Sequence, residues 1–465
     1  MKPTKPFFYL ITFISICFYF SSCELQEEVV TDDPSVELAF STDTVFFDTV
    51  FTTLGSITKR FKVYNPSENA VNLSSIKLGS GSESAYSVVI NGFQGNQLNN
   101  IQLLGKDSLL ILVEVLIDPQ EEDLPFIVQD SLVFETNGNV QDVKLVSWGQ
   151  DAVFFRGGLQ AVDCNATWTK DKPYVVFDSL LIRENCRLTI NPGTRIHFGT
   201  NASLFVGGNM EVNGTVEEPV VFTSVRSDEG YEDVPGQWQG ITFLATSQNN
   251  VFNWSIIRNG NVGIYLGIPD DNADPDIVIS NSIIENMAAY GILSFTSDLV
   301  MTNSLIHSCI LSTINLSAGG NYELYHNTFA AVSPEFFRDN PSFLVKNYEV
   351  LSDESIIADD LSLTMANNII WGKLEEELFF DFISERKFEI SASNNLLKTQ
   401  IAEFDPNNIL NEDPQFLNPQ ENLFMLDTLG ESPAIDQGIE LGIETDLAGN
   451  DRDDQPDIGA YEFIK

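Results

Sequence analysis

Six side chains between Val225 and Trp238 have the chemistry to act on a sugar. They are Arg226, Glu229, Tyr231, Glu232, Asp233 and Trp238. Two carboxylates beside an aromatic ring can bind and hydrolyse a glycosidic bond if their separation is suitable. An arginine or tyrosine can serve a lyase by neutralising or deprotonating an acidic sugar. The same composition also fits a solvated acidic loop in which Trp238 packs on the fold and Arg226 pairs with an acid.

A second group consists of oxygen ligands that alternate along the chain as in a calcium-binding loop. Its members are Asp270, Asn272, Asp274 and Asp276. The group departs from the EF-hand pattern, because Pro275 stands where glycine belongs and Asn281 replaces the bidentate glutamate. Ca²⁺ in a looser site is therefore the one cofactor that the sequence suggests, with a solvated loop as the alternative.

Two further aromatic side chains, Phe336 and Phe337, lie in an insertion and could stack on sugar rings or pack back on the fold. The histidines His197, His307 and His326 are scattered, and none is assigned to catalysis. The sequence contains no nucleophile elbow, P-loop, HExxH or dinucleotide-binding fingerprint. Candidate chemistry is therefore limited to carbohydrate binding or cleavage.

The charge balance limits the partners. The 465 residues include 24 Lys and Arg against 67 Asp and Glu, a formal net charge of −43. Such a charge repels nucleic-acid phosphates, and no basic stripe offsets it, so nucleic-acid binding is excluded. An anionic polymer would also be repelled unless calcium bridged it, so a neutral glycan or a surface protein suits the chain better.

The N-terminus has the features of an export signal. Lys2 and Lys5 precede an apolar run from Phe7 to Phe20, too short for a comfortable membrane span. The following Ser21-Ser22-Cys23 resembles the lipobox of bacterial lipoproteins, which implies cleavage of the signal peptide 1–23 and lipidation at Cys23. A plain secretory signal is the alternative.

An acidic stretch follows this signal. Residues 24–34, beginning Glu24-Leu25-Gln26-Glu27-Glu28, resemble the surface-export signal of Bacteroidetes lipoproteins. That resemblance implies an outer-membrane protein that is lipid-anchored and surface-exposed, and that meets the membrane only through its N-terminal lipid. A simple solvated tether is the alternative.

A repeat runs through residues 151–415. Short β-branched segments begin at 255, 282, 304, 328, 368 and 395, with spacings of 27, 22, 24, 40 and 27 residues. A period in the twenties with Asn or Gly at the corners indicates a solenoid. The segments Leu188–Ile196 and Leu204–Gly208 resemble the opening coils of the right-handed parallel β-helix (pectate-lyase-like) family, a fold that hosts lyases, hydrolases, adhesins and inert scaffolds.

Polar residues and cysteines of the repeat have predicted structural roles. Asparagines that recur beside the strands are expected to stack their amides along the solenoid: Asn281, Asn303, Asn327, Asn367 and Asn394. Cys164 and Cys186 lie 22 residues apart, close to one coil, so they could form a disulfide between neighbouring rungs or remain free buried thiols. Cys309 is expected to fill the core.

The flanking regions differ from the repeat. Residues 35–150 contain short strand-like runs separated by turns and resemble the immunoglobulin-like family typified by the ASPM–SPD-2–hydin domain, which implies a spacer or binding module. Residues 416–465 contain Ser432-Pro433-Ala434-Ile435-Asp436 and Asp457-Ile458-Gly459-Ala460-Tyr461, and resemble the choice-of-anchor Q domain. We expect this segment to cap the last apolar rung.

The sequence thus predicts an all-β chain, in which an N-terminal immunoglobulin-like β-sandwich is followed by a right-handed parallel β-helix with a C-terminal cap. The predicted function is that of a monomeric cell-surface lipoprotein that binds a glycan or another surface partner without evident catalysis. A polysaccharide lyase or glycoside hydrolase is the alternative, and a passive structural rod is the third reading.

Overall fold

The computed structural model describes residues 28–120, 125–226, 230–267, 274–332, 338–427, 429 and 431–464. The chain divides into two compact units, residues 1–150 and 151–465. The described residues contain strands and short 3-10 turns and no α-helix, so the all-β prediction is confirmed. None of these residues belongs to a helix long and apolar enough to cross a membrane.

The first unit contains two β-sheets whose apolar faces share one core. Alternation of apolar and polar residues along each strand puts side chains such as Val63, Ile111, Phe134 and Leu145 into that core. One sheet contains Val30–Thr31, Thr44–Phe51, Ala70–Leu78, Gln97–Leu103, Phe126–Thr136 and Asn139–Gln150. The other contains Ala39–Phe40, Lys59–Tyr64, Tyr86–Ile90, Phe93–Gln94 and Ser108–Val115, and a 3-10 turn lies at Gly81–Glu83.

The second unit is a parallel β-helix with three sheets. Nine coils contribute one strand to each sheet, and sheet 1 continues for two further strands. Sheet 1 contains Val153–Phe155, Tyr174–Val176, Arg195–Phe198, Val220–Ser224, Ser255–Arg258, Ile283–Met287, Leu305–Cys309, Thr328–Ala331, Ile369–Gly372, Leu396–Leu397 and Ile409–Leu410. Sheet 2 contains Leu159–Ala161, Ser179–Ile182, Ser203–Val206, Gly240–Phe243, Val262–Gly267, Tyr290–Phe295, Ser312–Ser317, Phe343–Lys346 and Leu378–Asp381. Sheet 3 contains Ala166–Trp168, Arg187–Ile190, Asn209–Asn213, Asn250–Asn253, Ile277–Ser280, Leu299–Thr302, Gly320–Tyr325, Leu361–Ala366 and Phe388–Ser393.

The parallel register stacks like residues into columns through the core. One column of sheet 1 contains Ile196, Phe222, Ile257, Ile284, Ile306, Phe329, Ile370 and Leu397. All of these side chains are fully buried. The 40-residue step in the repeat contains a hairpin of Tyr348–Val350 and Ile356–Ala358, so the extra residues leave the stacking of the coils intact.

An internal polar ladder follows the turn from sheet 3 to sheet 1. Its side chains are Ser282, Ser304, Asn327, Asn368, Asn395 and Asn408, and each accepts the backbone N–H of the preceding coil's turn at 2.9–3.2 Å. Of the predicted asparagines, Asn327 belongs to this ladder. The other four, at positive φ of 50–58°, form the preceding turn position: Asn281, Asn303, Asn367 and Asn394. The predicted stacking of amides is confirmed for Asn281 and Asn303, because Asn303 Nδ2 donates to Asn281 Oδ1 at 2.6 Å. Asn367 and Asn394 donate instead to His326 Nε2 and Gln437 O. The buried ladder itself lies one residue later in these coils.

The C-terminal segment occupies a different place from the one predicted. Phe424 and Leu447 pack with Leu305 and Ala330 on the outer face of sheet 1. A second cluster of Leu426, Ala434 and Ile458 covers Ile369 and Leu396. The segment therefore lies along the side of the coils, where a cap over the last rung was expected. Its regular elements are the strands Phe416–Asn418 and Leu423–Leu426 and the 3-10 turn Pro419–Glu421.

The last apolar rung is covered by residues before that segment. Ile401 and Phe404, in and beside the 3-10 turn Ala402–Asn407, pack against the main core. Phe404 lies 5.6 Å from Phe380, measured between ring centroids. The early coils are linked covalently, because Cys164 and Cys186 form a disulfide between sequential coils, while Cys309 is free and buried.

Replacing Asn368 by Ala tests the internal ladder. Asn368 donates to Leu324 O, Ala366 O and Asn395 Oδ1 and accepts from Asn327, all in the buried interior. Because the buried groups that bond to Asn368 lose their hydrogen-bond partner, we expect the free energy of unfolding to fall by about 3 kcal/mol or more. Asn261→Ala, at a partly exposed amide, is the control. Equal urea midpoints for the two variants would contradict the prediction.

Candidate functional site

The segment 225–239 leaves sheet 1 and re-enters sheet 2, and its polar contacts attach it to the next two coils. Gly236 N and Gln237 N donate to Gly260 O and Asn259 O at 3.0 and 2.8 Å. Asn259, at a φ of 65°, donates its side-chain amide to Glu232 O at 2.6 Å. The turn residues of one coil therefore hold the loop of the previous coil.

Within this loop the predicted catalytic residues are partly brought together. The guanidinium carbon of Arg226 lies 3.3 Å from the centre of the Tyr231 ring, a cation–π contact. Glu232 and Asp233 are exposed. Glu232 Oε2 accepts the N–H of Tyr231 at 3.1 Å, and Asp233 Oδ1 accepts from Asn286 at 3.4 Å. Glu229 lies outside the described residues.

Trp238 has a structural position. Its side chain is fully buried, stacks on Phe198 with ring centroids 4.1 Å apart, and donates its indole N–H to Arg258 O at 2.9 Å. The ring therefore closes the core where the loop re-enters sheet 2. The expectation that Trp238 contacts a ligand is corrected, because no ring surface reaches solvent.

The remaining predicted ligand residues lie mostly outside the described chain. Phe336 and Phe337 are among them, as are Asp270 and Asn272. Asp276 is described and buried, and its Oδ2 accepts the backbone N–H of Asp298 at 2.8 Å, so it closes a turn between coils. In the described part of the chain no group of three or more His, Cys, Asp or Glu side chains could hold a metal ion.

The outer face of sheet 2 bears a line of apolar and aromatic side chains, which we name the sheet 2 stripe. Its members are Leu181, Phe205, Thr242, Tyr265, Leu293, Asn315, Leu344 and Phe379, each the register partner of the next. Only Asn315 is buried, and Phe379 is 42% exposed. The sequence analysis did not single out this stripe, although alternation with core residues in each strand was a signal for it.

Tyr265 lies near the middle of the stripe and has defined neighbours. Its ring lies 5.9 Å from that of Phe295, between centroids. A Cβ placed on Gly267 would lie 3.3 Å from the Tyr265 ring, so glycine gives that ring the room to lie over the backbone. The amides of Asn201 and Gln239 meet at 3.3 Å beside the sheet, which puts hydrogen-bonding groups along the edge of an apolar surface.

The outer face of sheet 1 is polar where the C-terminal segment leaves it open. Arg258 donates Nε–H to Thr223 Oγ1 at 3.3 Å and lies 4.0 Å from Glu285, which in turn lies 3.0 Å from His307. Burial acts to raise the pKa of Glu285, but the hydrogen bond and charge of His307, with Arg258, outweigh it and lower that pKa. His307 Nδ1 lies 3.0 Å from Ser308 Oγ.

This Glu285–His307–Ser308 chain lies under the C-terminal segment. Phe424 covers the His307 ring at 4.8 Å between centroids, and Ser308 Oγ donates to Asn422 at 3.4 Å. His307 and Ser308 are buried. The chain therefore joins the segment to the coils, and the segment covers the Ser308 hydroxyl group.

Two comparisons with known proteins bear on the fold. The family described as right handed beta helix region matches residues 132–329, a range that begins in the last part of the first unit and extends through most of the coils. No curated protein matches the chain. The right-handed β-helix is therefore established for the repeat, and the match says nothing about activity.

The solved structures that match the chain are distant from it. The complex of XylC with xylose covers 90% of this chain and 89% of that one, at 11% identity and a TM-score of 0.32. A GH87 alpha-1,3-glucanase from Streptomyces thermodiastaticus covers 76% and 87%, at 12% identity and 0.22. The VesB protease of Vibrio cholerae covers 24% and 31%, at 15% identity and 0.18, so this chain spans about a third of its length. Likeness at this level supports no functional argument.

The pH dependence of folding tests the position of His326. Asn367 donates to His326 Nε2 at 2.8 Å, so that nitrogen carries no proton. Burial, with Arg452 nearby, lowers the pKa of His326 from 6.5 to about 3. Because the unfolded chain takes up a proton near pH 6.5 and the folded chain only near pH 3, this histidine contributes stability that is lost as the pH falls through that range.

We expect His326→Asn to lose less stability on acidification than the original chain. Asparagine occupies the equivalent turn position in neighbouring coils, at positive φ in Asn303 and Asn367, so the replacement keeps the backbone conformation. Melting temperatures at pH 7.5 and pH 4.5 measure the effect. An unchanged difference between the two pH values would show that His326 is not the titrating group.

Proposed function

We propose that this chain is a lipid-anchored, surface-exposed outer-membrane protein that binds a glycan along the sheet 2 stripe. The observation that carries the binding proposal is the register itself, which aligns Phe205, Tyr265 and Phe379 in one column. The positions between them hold Thr242, Leu293, Asn315 and Leu344. Sugar rings have apolar faces that stack on aromatic rings, and their hydroxyl groups need polar partners at the edge.

The geometry of a β-helix suits a polymer with repeating units. Successive strands lie about 4.8 Å apart, so equivalent side chains recur at short, regular intervals along the stripe. A chain of sugars lying across the coils can then meet several equivalent positions, each contributing a modest contact. Tyr265, next to Phe295 and over Gly267, is the ring best placed to act as an anchor.

The proposed location rests on the N-terminal sequence. Cys23, Glu24 and Glu27 lie outside the described residues. The resemblance of this region to a lipobox followed by an export signal is the support for an anchor on the outer surface. A glycan outside the cell is then the accessible partner. Metabolic labelling with a fatty acid, lost in Cys23→Ala, tests the anchor independently of binding.

Catalysis by the loop 225–239 is the competing function. Arg226, Glu232 and Asp233 supply suitable groups, but the Arg226 guanidinium stacks on Tyr231, and Glu232 accepts a hydrogen bond from its own loop. Both contacts are made within the loop, so these charged groups stabilise the loop itself. Formation of new oligosaccharides that is abolished by Glu232→Gln or Asp233→Asn would favour the enzyme.

Replacing Tyr265 by Ala tests the stripe. On a panel of immobilised neutral polysaccharides, we expect the original chain to be retained without forming products and Tyr265→Ala to bind about tenfold more weakly or worse, because a stacking surface is lost. Tyr265→Phe keeps the ring and should keep most of the affinity. The matched control is Tyr325→Ala, since Tyr325 lies on the outer face of sheet 3.

The outcomes separate the three functions. Retention that depends on Tyr265 and not on Tyr325 supports glycan binding by the stripe. Retention that is equal in the two Ala variants would place binding elsewhere and contradict the proposed site. If the protein is not retained and no products form, the passive structural rod is the function that remains.

A further inference from the structure

The outer face of sheet 1 carries two arginines near each other in a chain whose net charge is −43. Arg195 and His197 point outward from one strand, Thr223 is the register partner of His197 on the next, and Arg258 donates to Thr223 from the strand after that. Arg195 is exposed, and the Arg258 side chain is 39% exposed. The two guanidinium groups therefore flank one patch of the sheet and reach solvent.

The neighbours of Arg195 do not neutralise it. Val221 is its register partner, and among the described residues no carboxylate lies within ion-pair distance of its guanidinium. Arg187, on the outer face of sheet 3, shows the contrasting arrangement, with Glu211 at 3.6 Å. A cation without a local acid is unexpected in a chain so rich in acids, unless an anion from outside is its partner.

The guanidinium group of Arg258 is also held in a position where it can bind an anion. Thr223 holds its Nε, and Glu285 lies at 4.0 Å from one terminal nitrogen, which restricts the plane of the guanidinium. A planar, restrained guanidinium binds carboxylate or sulfate oxygens with good geometry. Glu285 also lies 3.0 Å from His307, so it has a second partner besides Arg258.

His197 lies on the same face as the two arginines. Burial lowers the pKa of the half-buried His197 to about 4, and the charges of Arg195 and Arg258 act in the same direction. His197 Nδ1 lies 3.2 Å from Ser224 O, which opposes the shift. Arg195 and Arg258 thus place two cationic groups on this face of a chain whose net charge is −43.

We propose that Arg195 and Arg258 bind the anionic substituent of an acidic glycan, either a carboxylate or a sulfate ester. This inference rests on the proposed glycan-binding function and gives it a second contact, on the other side of the loop 225–239 from the sheet 2 stripe. Charge-assisted hydrogen bonds from the two guanidinium groups supply the recognition. A neutral polymer would lack that contact.

Three polymers with one backbone test the proposal: dextran, dextran sulfate and carboxymethyl-dextran. The whole protein is purified from the cells that produce it, and its retention by each immobilised polymer is measured at low and moderate salt concentrations. We expect one or both charged polymers to bind at least about tenfold more tightly than dextran, with an affinity that falls as salt rises. The double variant Arg195→Gln/Arg258→Gln should lose that difference.

The matched control is Arg187→Gln, which removes one cation from a different face and should leave the preference for charged polymer unchanged. Melting temperatures confirm that all variants are folded. Equal binding of charged and neutral dextrans would overturn the anionic contact while leaving the proposed glycan-binding function intact. A charge preference that survives the double variant would overturn the assignment to Arg195 and Arg258, and binding to none of the three polymers would count against the proposal as well.

The two charged polymers separate the sources of the anion. Preference for carboxymethyl-dextran identifies a carboxylate, and preference for dextran sulfate identifies a sulfate ester. Variants of Tyr265 in the same assay separate this contact from the stripe, because Tyr265→Ala should weaken binding to all three polymers equally, whereas the arginine variant should affect only the charged ones.

Discussion

The stacking of coils at the spacing of a parallel sheet is the constraint on which the second unit depends. Each coil must return its chain to the same lateral position, and the internal ladder of Ser304, Asn327, Asn368 and Asn395 satisfies the turn's N–H groups in a place that water does not reach. Once that turn is repeated, every outward position also repeats. The sheet 2 stripe and the arginine pair on sheet 1 both follow from this repetition.

The same turn has a second use in the later coils. In most coils the residue before the ladder position has positive φ, and Asn303, Asn367 and Asn394 donate their side-chain amides to the C-terminal segment. Asn303 donates to Thr445 O and accepts from Arg452, and Asn367 both donates to and accepts from Ile439. A buried ion pair between Arg452 and Glu462, at 2.9 Å, orders the segment itself. One turn therefore determines both the interior of the coils and the attachment of the segment.

The fold could be read from the sequence because stacking needs apolar residues at every second position of short strands, and that pattern recurs with a period in the twenties. The stacking of Asn281 and Asn303 was predicted correctly. The buried position of Asn368 and Asn395 was missed, because adjacent asparagines look alike in sequence while their backbone conformations differ. Trp238 was misassigned because nothing local shows that a loop re-enters the core at that residue. The stripe and the arginine pair require the register between strands far apart in sequence, which local patterns do not contain.

The position of the C-terminal segment also determines when, during synthesis, the outer face of sheet 1 becomes covered. Its hydrogen bonds join Asn303 to Thr445 and to Arg452, which lie 142 and 149 residues later in the sequence. Until residues 424–460 have been synthesised, Leu305, Ile369 and Leu396 lack the apolar partners that cover them in the folded protein. A chain synthesised only through the last coil would therefore expose an apolar strip along sheet 1, the kind of surface that favours aggregation.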